Sequence, residues 1–297
     1  MLVKESWIKS VLQALLVTFL WSTSFIIIKK GLLDIPPLTF AGLRYTLAFI
    51  FLLPLLFRKE RFREIRNLAW PQWFKLIILG LTFYTVTQGA QFLGLSLLPA
   101  VTVSLMLNFT PLIVAVLGIF ILREAPTKIQ WLGVFLFIAG ILFYFQPATF
   151  SGNTGIGLVV MTVGVLANAG AAVLGRDINR QKDISPVVVT IISMGIGSII
   201  LLSAGLITQG LPALSWKMLF WLLWLAGINT AFAFTLWNIT LQTLGAMQSS
   251  IINGTMLIQI AILAWLLLGE AILPLELVGI SVAVVGTVLV QLKKTDE

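Results

Sequence analysis

The chain has 297 residues, of which 59% are hydrophobic and 10% charged, and its mean hydropathy is +1.05. Because a soluble domain carries roughly 25% charged residues, this composition excludes a fully water-exposed globular surface and requires lipid as part of the solvent. The absence of Cys excludes disulfides and thiol chemistry, and the absence of His removes the commonest general base and transition-metal ligand.

Ten apolar runs follow one another along the chain, each close to the roughly 20 residues that a helix needs to cross a bilayer. They cover about 7–29, 37–57, 72–95, 99–122, 128–146, 155–176, 186–207, 216–239, 246–268 and 273–292. Prolines such as Pro37, Pro186 and Pro274 fall at or near their boundaries, where a missing N–H donor costs least. The sequence therefore predicts an all-α integral membrane protein with ten transmembrane helices.

The charges between these runs predict the orientation of the bundle. With the N-terminus placed inside, fifteen of the nineteen Lys and Arg residues lie on the cytoplasmic side, and Lys29, Lys30 and Lys217 lie outside. An excess of Lys and Arg in short loops is typical of the cytoplasmic side. We therefore predict a multi-pass protein of the cytoplasmic (inner) membrane with both termini cytoplasmic. The same loops explain the net charge of +8, so no nucleic-acid partner is expected.

One stretch of the sequence occurs twice. Shifted by 146 positions, residues 95–142 align with residues 241–288 without a gap and with eleven identities. The informative identities are Glu124 with Glu270, Gly133 with Gly279 and Gly140 with Gly286. A fixed internal period indicates duplication. Residues 1–148 and 149–297 are predicted to be two five-helix repeats; because five is odd, the second is inverted, as in many secondary transporters.

Several motifs occur in a consistent order and spacing along these helices. They are Trp21-Ser22-Thr23-Ser24-Phe25 in helix 1, Pro37 with Arg44 in helix 2, Pro111 in helix 4, and Glu124 and Glu270 at helix ends. In this arrangement the sequence resembles the ten-helix EamA-like branch of the drug/metabolite transporter superfamily, although Ser22 and Arg123 stand where that family usually has Gly. The resemblance implies export or exchange of small metabolites such as amino acids, through a central cavity lined by helices 1, 3, 4, 6, 8 and 9.

Polar and aromatic side chains inside the apolar runs are candidates for lining this cavity, because burial in hydrocarbon is costly unless they face protein or water. In helix 3, Tyr84, Gln88 and Gln91 share one face at the spacing i, i+4, i+7. Their equivalents in helix 8 include Trp237, which we place on the opposite wall. The predicted substrate-binding residues are Trp21, Ser22, Ser24, Phe25, Tyr84, Gln88, Gln91, Asn108, Asn168, Trp237 and Asn253. The alternative for the amides is hydrogen bonding between helices.

Four residues are predicted to have gating or structural roles. Arg44 is the only formal charge well inside a run, so a functional role is the default, but it can also snorkel or satisfy carbonyls at a helix end. We favour structure or gating over direct substrate contact. Pro111 cannot donate to the carbonyl of Leu107, which either builds part of the site or only kinks the helix. Glu124 and Glu270 are predicted to bridge neighbouring helices at the two faces.

These features favour a secondary transporter for small metabolites, such as amino acids or similar zwitterionic or aromatic amphiphiles, working by efflux or exchange through alternating access. An enzyme is not expected, since metal, nucleophilic and acid–base residues are lacking, and no cofactor or metal is predicted. A channel, a structural membrane subunit and an uptake carrier for another solute class remain alternatives. Gly133, Gly140, Gly279 and Gly286 either form a dimer seam or pack within one chain, so a monomer or a homodimer is expected.

Overall fold

The structure is a computed structural model that describes residues 2–98, 103, 106–117, 126–144, 154–268 and 274–291. Within these residues all regular structure is helical. In the described part of the chain, six helical stretches are long and apolar enough to cross a membrane, namely Trp7–Gly31, Pro37–Phe57, Trp70–Leu97, Gly155–Gln181, Pro186–Gln209 and Trp216–Thr240. The prediction of an all-α, multi-pass membrane chain is thereby confirmed. The other four predicted runs include residues outside the described ranges or are divided into shorter helices.

The helices follow one another with short connections. In chain order they are α1 Leu2–Gly31, α2 Pro37–Leu52, α3 Lys59–Arg66, α4 Trp70–Leu79, α5 Gln88–Leu97, α6 Thr110–Leu117, α7 Lys128–Tyr144, α8 Thr154–Gln181, α9 Pro186–Gln209, α10 Trp216–Ala226, α11 Ala233–Thr240, α12 Ala246–Gly254, α13 Met256–Leu268 and α14 Pro274–Gln291. A short 3₁₀ segment, Leu53–Phe57, extends α2.

Helix boundaries are set by residues that supply or remove hydrogen-bond partners. Pro37, Pro186 and Pro274 each begin a helix, where the missing N–H has no intrahelical acceptor to lose. Ser215 precedes α10, and its hydroxyl accepts from the Met218 N–H at 3.3 Å. The predicted punctuation by proline is confirmed at these three positions.

Two membrane-length helices contain a π-helical segment, and the two segments are equivalent in the sequence repeat. The first, Gly80–Thr87, joins α4 to α5, and the second, Gly227–Phe232, joins α10 to α11. The shift of 146 residues maps 80–87 onto 226–233. In each, a threonine hydroxyl donates to the carbonyl five residues before it, at 2.8 Å from Thr87 and 2.7 Å from Thr230. Such widened turns occur frequently at functional sites.

Two further helices are interrupted, again at equivalent positions. Asn108 and Phe109 form a turn before α6, and Thr255, which is 146 residues after Phe109, separates α12 from α13. The first interruption ends two residues before Pro111, within the stretch where a proline leaves a carbonyl without its helical donor. The second contains no proline, and nothing in the sequence indicated it.

Glycines let α7 and α14 pack backbone against backbone. A Cβ atom added to Gly140 would lie 2.5 Å from the Gly279 carbonyl oxygen and the Ala283 nitrogen, and one added to Gly286 would lie 2.5 Å from the Phe137 nitrogen. Since Ala283 and Gly286 are 146 residues after Phe137 and Gly140, the two contacts are equivalent under the repeat. The glycines that also suggested a dimer seam therefore pack within one chain.

A second glycine contact joins α9 to α2 and to the first π segment. A Cβ atom on Gly197 would lie 2.6 Å from the Tyr84 Cβ and would overlap the Gly80 carbonyl. A Cβ on Gly205 would lie 2.6 Å from the Thr39 nitrogen. We call this contact and the α7–α14 contact the glycine seams. No side chain separates the helices there, so the seams leave no room for a solute.

Candidate functional site

A cavity of about 90 Å³, which we call the main cavity, lies among α1, α2, the first π segment with α5, α6, α8, α11, α12 and α13. Its lining is Trp21, Ser24, Phe25, Ile28, Arg44, Tyr45, Phe83, Thr87, Gln88, Gln91, Leu107, Asn108, Thr110, Asn168, Phe234, Ser250, Asn253, Gly254, Met256 and Ile260. This volume has room for several water molecules. The structure thus brings eight of the eleven predicted substrate-binding residues to one cavity, together with Arg44.

A second, smaller cavity of about 30 Å³ lies beyond it, toward Leu79, Gly175 and Leu241. Two predicted residues, Tyr84 and Trp237, line this minor cavity and not the main one. The two cavities share six lining residues, which form the boundary between them: Trp21, Phe83, Thr110, Asn168, Ser250 and Asn253. The predicted face of helix 3 is therefore divided, because the π segment changes the helical repeat just before Gln88.

Aromatic rings form a continuous wall at this boundary. The Phe234 ring lies at the centre, 4.7 Å from the Trp21 ring, 5.4 Å from Phe83 and 5.7 Å from Tyr45 between centroids. The Trp237 ring lies 5.2 Å from that of Trp21, on the side of the minor cavity. Tilted and edge-on contacts at these distances are favourable and hold the rings in fixed orientations. The main cavity therefore has one rigid, apolar wall.

Arg44 is buried, with 3% of its surface exposed, and it lines the main cavity. Its Nε donates to the Thr230 hydroxyl at 2.7 Å, and Nη2 donates to the Asn229 carbonyl at 3.3 Å. The guanidinium carbon lies 5.2 Å from the centre of the Tyr45 ring, within the range of a cation–π contact. Among the possibilities left open by the sequence, the side chain does not snorkel to a surface. It joins α2 to the second π segment.

Asn229 in the second π segment connects α1 to Arg44. Its carbonyl also accepts from the Trp21 Nε1 at 3.0 Å, and its amide donates to the Thr23 hydroxyl at 3.1 Å and to the Leu20 carbonyl. Asn229 is fully buried. The sequence pattern did not single it out, since its alignment partner in the first repeat is Phe83. The contact fixes the indole of Trp21 against the aromatic wall.

Ser22 and Ser24 differ in their surroundings. The Ser22 hydroxyl is fully buried outside the main cavity and lies 3.1 Å from Gln259 Oε1 and 3.2 Å from the Met256 carbonyl, so it joins α1 to the start of α13. The Ser24 hydroxyl lines the cavity but donates to the Trp21 carbonyl at 2.6 Å. Of the two, only Ser24 is placed where a solute can contact it.

Two polar atoms at the boundary of the cavities have no hydrogen-bond partner within the described chain. They are the Ser250 hydroxyl and the Asn253 Oδ1, both on α12 just before its interruption. Asn168, by contrast, donates to the Thr110 hydroxyl at 3.3 Å. A buried polar atom without a partner costs free energy that a bound solute or water recovers. The α12 face of the cavity is therefore suited to hydrogen bonding with a ligand.

A second buried polar group lines the minor cavity at Asn238, and its polar atoms are paired with one another. Asn238 accepts from Asn179 at 2.9 Å and donates to the Thr190 hydroxyl at 2.9 Å and to the Phe234 carbonyl at 3.1 Å. It joins α8, α9 and α11. We call these side chains the Asn238 cluster; it was not anticipated from the sequence.

The same end of the bundle carries ionic contacts. Arg176 donates to the Leu241 carbonyl at 2.7 Å, and Lys75 pairs with Asp177 at 2.7 Å. Glu64, after α2, accepts from the backbone and the hydroxyl of Ser185 at the start of α9. These contacts join α8 to the end of α11, α4 to α8, and α3 to the start of α9.

Of the predicted gating residues, Arg44 and Pro111 are placed by the structure, with Pro111 buried in the first turn of α6. Glu124 and Glu270 lie outside the described residues, and their bridging role stays a prediction.

The sequence was also compared with known proteins. The model of the EamA-like transporter family matches residues 8–146 and again residues 155–292. The chain is 26% identical to a probable amino-acid metabolite efflux pump of Salmonella typhimurium over 92% of this chain and 91% of that protein. It is 26% identical to the S-adenosylmethionine/S-adenosylhomocysteine transporter of Chlamydia muridarum over 92% and 88%.

Two further comparisons extend these. An uncharacterized transporter of Archaeoglobus fulgidus is 30% identical over 77% of this chain and 78% of its own. A solved crystal structure superposes with a TM-score of 0.77 over 95% of this chain and 96% of that one, at 15% identity, a likeness that shows the fold alone.

Proposed function

Because the chain belongs to the EamA-like transporter family, we propose that it is a secondary transporter that exports or exchanges small metabolites across the cytoplasmic membrane by alternating access. The observation that carries the proposal is the main cavity, a space with an apolar aromatic wall and a few polar groups, two of which have no partner within the described residues, enclosed in an apolar helical bundle. Pockets of this kind, apolar with a few placed polar groups, bind small molecules.

The proposed architecture is ten transmembrane helices in two inverted repeats, residues 1–148 and 149–297. Several observations support it. The family model matches the two halves separately, and both the π segments and the helix interruptions recur after 146 residues. The α7–α14 seam contacts are equivalent under the same shift. Inverted repeats allow two related conformations that open to opposite sides of one site.

We place both termini, and the end of the bundle that contains the Asn238 cluster, on the cytoplasmic side. Exposed cations in the segments around α3 and after α8 support this orientation, among them Lys59, Arg63, Arg66 and Lys182. In the described state, the contacts of Lys75, Asp177 and Arg176 then close the cytoplasmic end.

The proposed substrates are amino acids or similar zwitterionic or aromatic amphiphiles. The relatives named as an amino-acid metabolite efflux pump and as an S-adenosylmethionine/S-adenosylhomocysteine transporter carry solutes of this kind. In this chain the aromatic wall offers a surface for an apolar or aromatic group. The amides of Gln88, Gln91, Asn108 and Asn253 offer donors and acceptors for the polar end.

Counterflow into proteoliposomes preloaded with a panel of amino acids tests the proposal. We expect saturable exchange of one class of amino acid. The exchange rate should fall about tenfold in Gln88→Ala and in Phe234→Ala, which corresponds roughly to the free energy of one lost hydrogen bond or ring contact. Ser281→Ala is the matched control, since that exposed hydroxyl donates only within its own helix. Exchange unaffected by either cavity variant would move the site elsewhere. Single-channel currents in place of saturable exchange would show a channel.

A further inference from the structure

We propose that Arg44 is the anion-binding group of the main cavity and that the substrate carries a carboxylate, which pairs with this guanidinium while its apolar part rests on the aromatic wall. The proposal rests on the proposed transport function. It adds a defined substrate class, carboxylates, and the residue that recognises the carboxylate group.

The first argument is the missing countercharge. Arg44 is 97% buried by area, and no carboxylate lines the cavity within the described chain. Both acceptors that Arg44 has among the described residues, the Thr230 hydroxyl and the Asn229 carbonyl, are neutral. A buried charge without an opposite charge is strongly unfavourable, and buried cations in proteins are therefore paired. A substrate anion supplies the missing charge when it binds.

The second argument is the number of donors that remain. A guanidinium has five N–H groups in one plane, and it cannot lose its proton in a protein. The contacts to Thr230 and Asn229 use Nε and one Nη2 hydrogen. Three N–H groups stay without an acceptor among the described residues, and the residue lines the main cavity. The planar fork of Arg matches a carboxylate with two parallel hydrogen bonds.

The third argument is the position of Arg44 beside the aromatic wall. Its guanidinium carbon is 5.2 Å from the Tyr45 ring centre, and the rings of Tyr45 and Phe234 are 5.7 Å apart. Phe234 in turn contacts Phe83 and Trp21. A carboxylate on Arg44 thus places an attached hydrocarbon or ring directly over this wall. The unpartnered Asn253 Oδ1 and Ser250 hydroxyl on the boundary can accept from an amino group of the same solute.

Arg44 is also well anchored for this role. The Thr230 hydroxyl donates to the Leu225 carbonyl, so its lone pair faces the Arg44 Nε. The Asn229 carbonyl accepts from both Arg44 and Trp21. The second π segment therefore fixes one edge of the guanidinium, and the other edge is left for the ligand. A bound carboxylate would also neutralise the positive charge that lies between α2 and the second π segment.

Binding to purified protein in nanodiscs, measured by tryptophan fluorescence, tests the proposal with three probes. L-phenylalanine has both charged groups, 3-phenylpropionate lacks the amine, and L-phenylalanine amide lacks the carboxylate. For wild type we expect the amide to bind at least about tenfold more weakly than the acids, the effect of one charge-assisted hydrogen bond. In Arg44→Gln, affinity for both acids should fall about tenfold or more and that for the amide should stay within about threefold.

Two variants separate recognition from a purely structural role. Arg44→Lys keeps the charge and should keep a preference for the acids over the amide. Thr230→Val keeps the guanidinium but removes its anchor, and the same preference should survive. If Arg44 only joins helices, Arg44→Gln and Thr230→Val will weaken all three probes alike, and the proposal is wrong. It is also wrong if wild type binds the amide as well as the acids, or binds none of the probes.

Exchange of the same probes in proteoliposomes separates this proposal from the transport function. Acid-selective binding without exchange would support the Arg44 site and would reject the carrier function. Saturable exchange that is equally fast for the acids and the amide would support the carrier and would reject Arg44 as its anion-binding group.

Discussion

The glycine seams and the main cavity are two solutions to packing helices in one apolar bundle. At the seams the backbones of α7 and α14, and of α9 and its neighbours, are in direct contact, and a single added methyl group has no space. Around the cavity, side chains stand between the helices and leave room for water. The difference indicates that the seams form a frame, whereas the space for the proposed solute lies among α1, α2, α5, α6, α8, α11, α12 and α13.

The same contrast holds between two asparagines, the buried Asn238 and the half-buried Asn253, whose Oδ1 atom is itself buried. Asn238 uses its oxygen and its amide nitrogen in three contacts, two of them with neighbouring helices, whereas the Asn253 Oδ1 has no partner within the described residues. Both side chains are amides in the interior of a membrane protein. Their state of pairing, and not their polarity, separates a structural contact from a position available to a ligand.

The largest effect is expected at a seam. In Gly197→Ala the new methyl would overlap the Gly80 carbonyl and lie 2.6 Å from the Tyr84 Cβ, so α9 must move away from the first π segment. Overpacking of this kind costs about 1–3 kcal/mol or more, and against backbone we expect the upper end. The measurement is the thermal melting of the purified protein in detergent.

Gly170→Ala is the matched control, because it is also mid-helix but a Cβ there meets nothing within 4 Å. Alanine stabilises a helix over glycine by up to about 1 kcal/mol, so this variant should melt at the same or a higher temperature. Equal melting of the two variants would show that the seam is not a rigid contact.

The second effect is expected in the Asn238 cluster. Asn238→Leu removes one acceptor of the Asn179 amide and the donor to the Thr190 hydroxyl, at a cost of about 1–2 kcal/mol, although Asn179 still donates to the Gly175 carbonyl and Thr190 to the Pro186 carbonyl. The melting temperature should fall, while the affinity of the remaining folded protein for a substrate changes little. Unchanged stability with lost binding would assign this cluster to the site.

The third effect tests the other asparagine with the same substitution. Asn253→Leu removes an oxygen that has no partner, so the melting temperature should not fall. Binding or exchange of an amino acid should weaken about tenfold, because its amino group loses an acceptor. A variant that loses stability and keeps full affinity would show that Asn253 is bonded in the native state.

Much of this arrangement is readable in the sequence, because it depends on apolar length and period. The apolar runs predicted the membrane helices, and the glycine spacing marked the surfaces of α7 and α14 that pack together. Polar residues within apolar runs marked Gln88, Asn168 and Asn253, which the structure brings to one cavity. A polar group in hydrocarbon is costly, so its presence alone carries information.

The parts of the site that the sequence did not predict depend on local departures from the regular helix, and no single residue type marks these departures. The π segment before Gln88 places Tyr84 on the minor cavity, although the regular spacing predicts a common face. Asn229 became a central contact because the second π segment brings its carbonyl to Arg44 and Trp21. The role of Arg44 likewise required knowledge of which groups surround it, since a charge in a helix has the same sequence pattern whether it is paired or not.

The smallest effect concerns the end of the bundle past the Asn238 cluster. The Lys75–Asp177 pair is partly exposed, with side-chain exposures of 37% and 17%, and solvent screening limits such pairs to about 1 kcal/mol. Asp177→Asn, which also removes the partly exposed pair with Arg180 at 3.2 Å, should therefore change the melting temperature very little, and less still at high salt. If this pair closes one side of a carrier, however, the same small free energy acts on the equilibrium between two conformations. A loss of up to 1 kcal/mol shifts that equilibrium up to about fivefold, which accessibility labelling of a single cysteine in place of Gly175 would detect. An unchanged labelling rate would assign the pair to the frame together with the glycine seams.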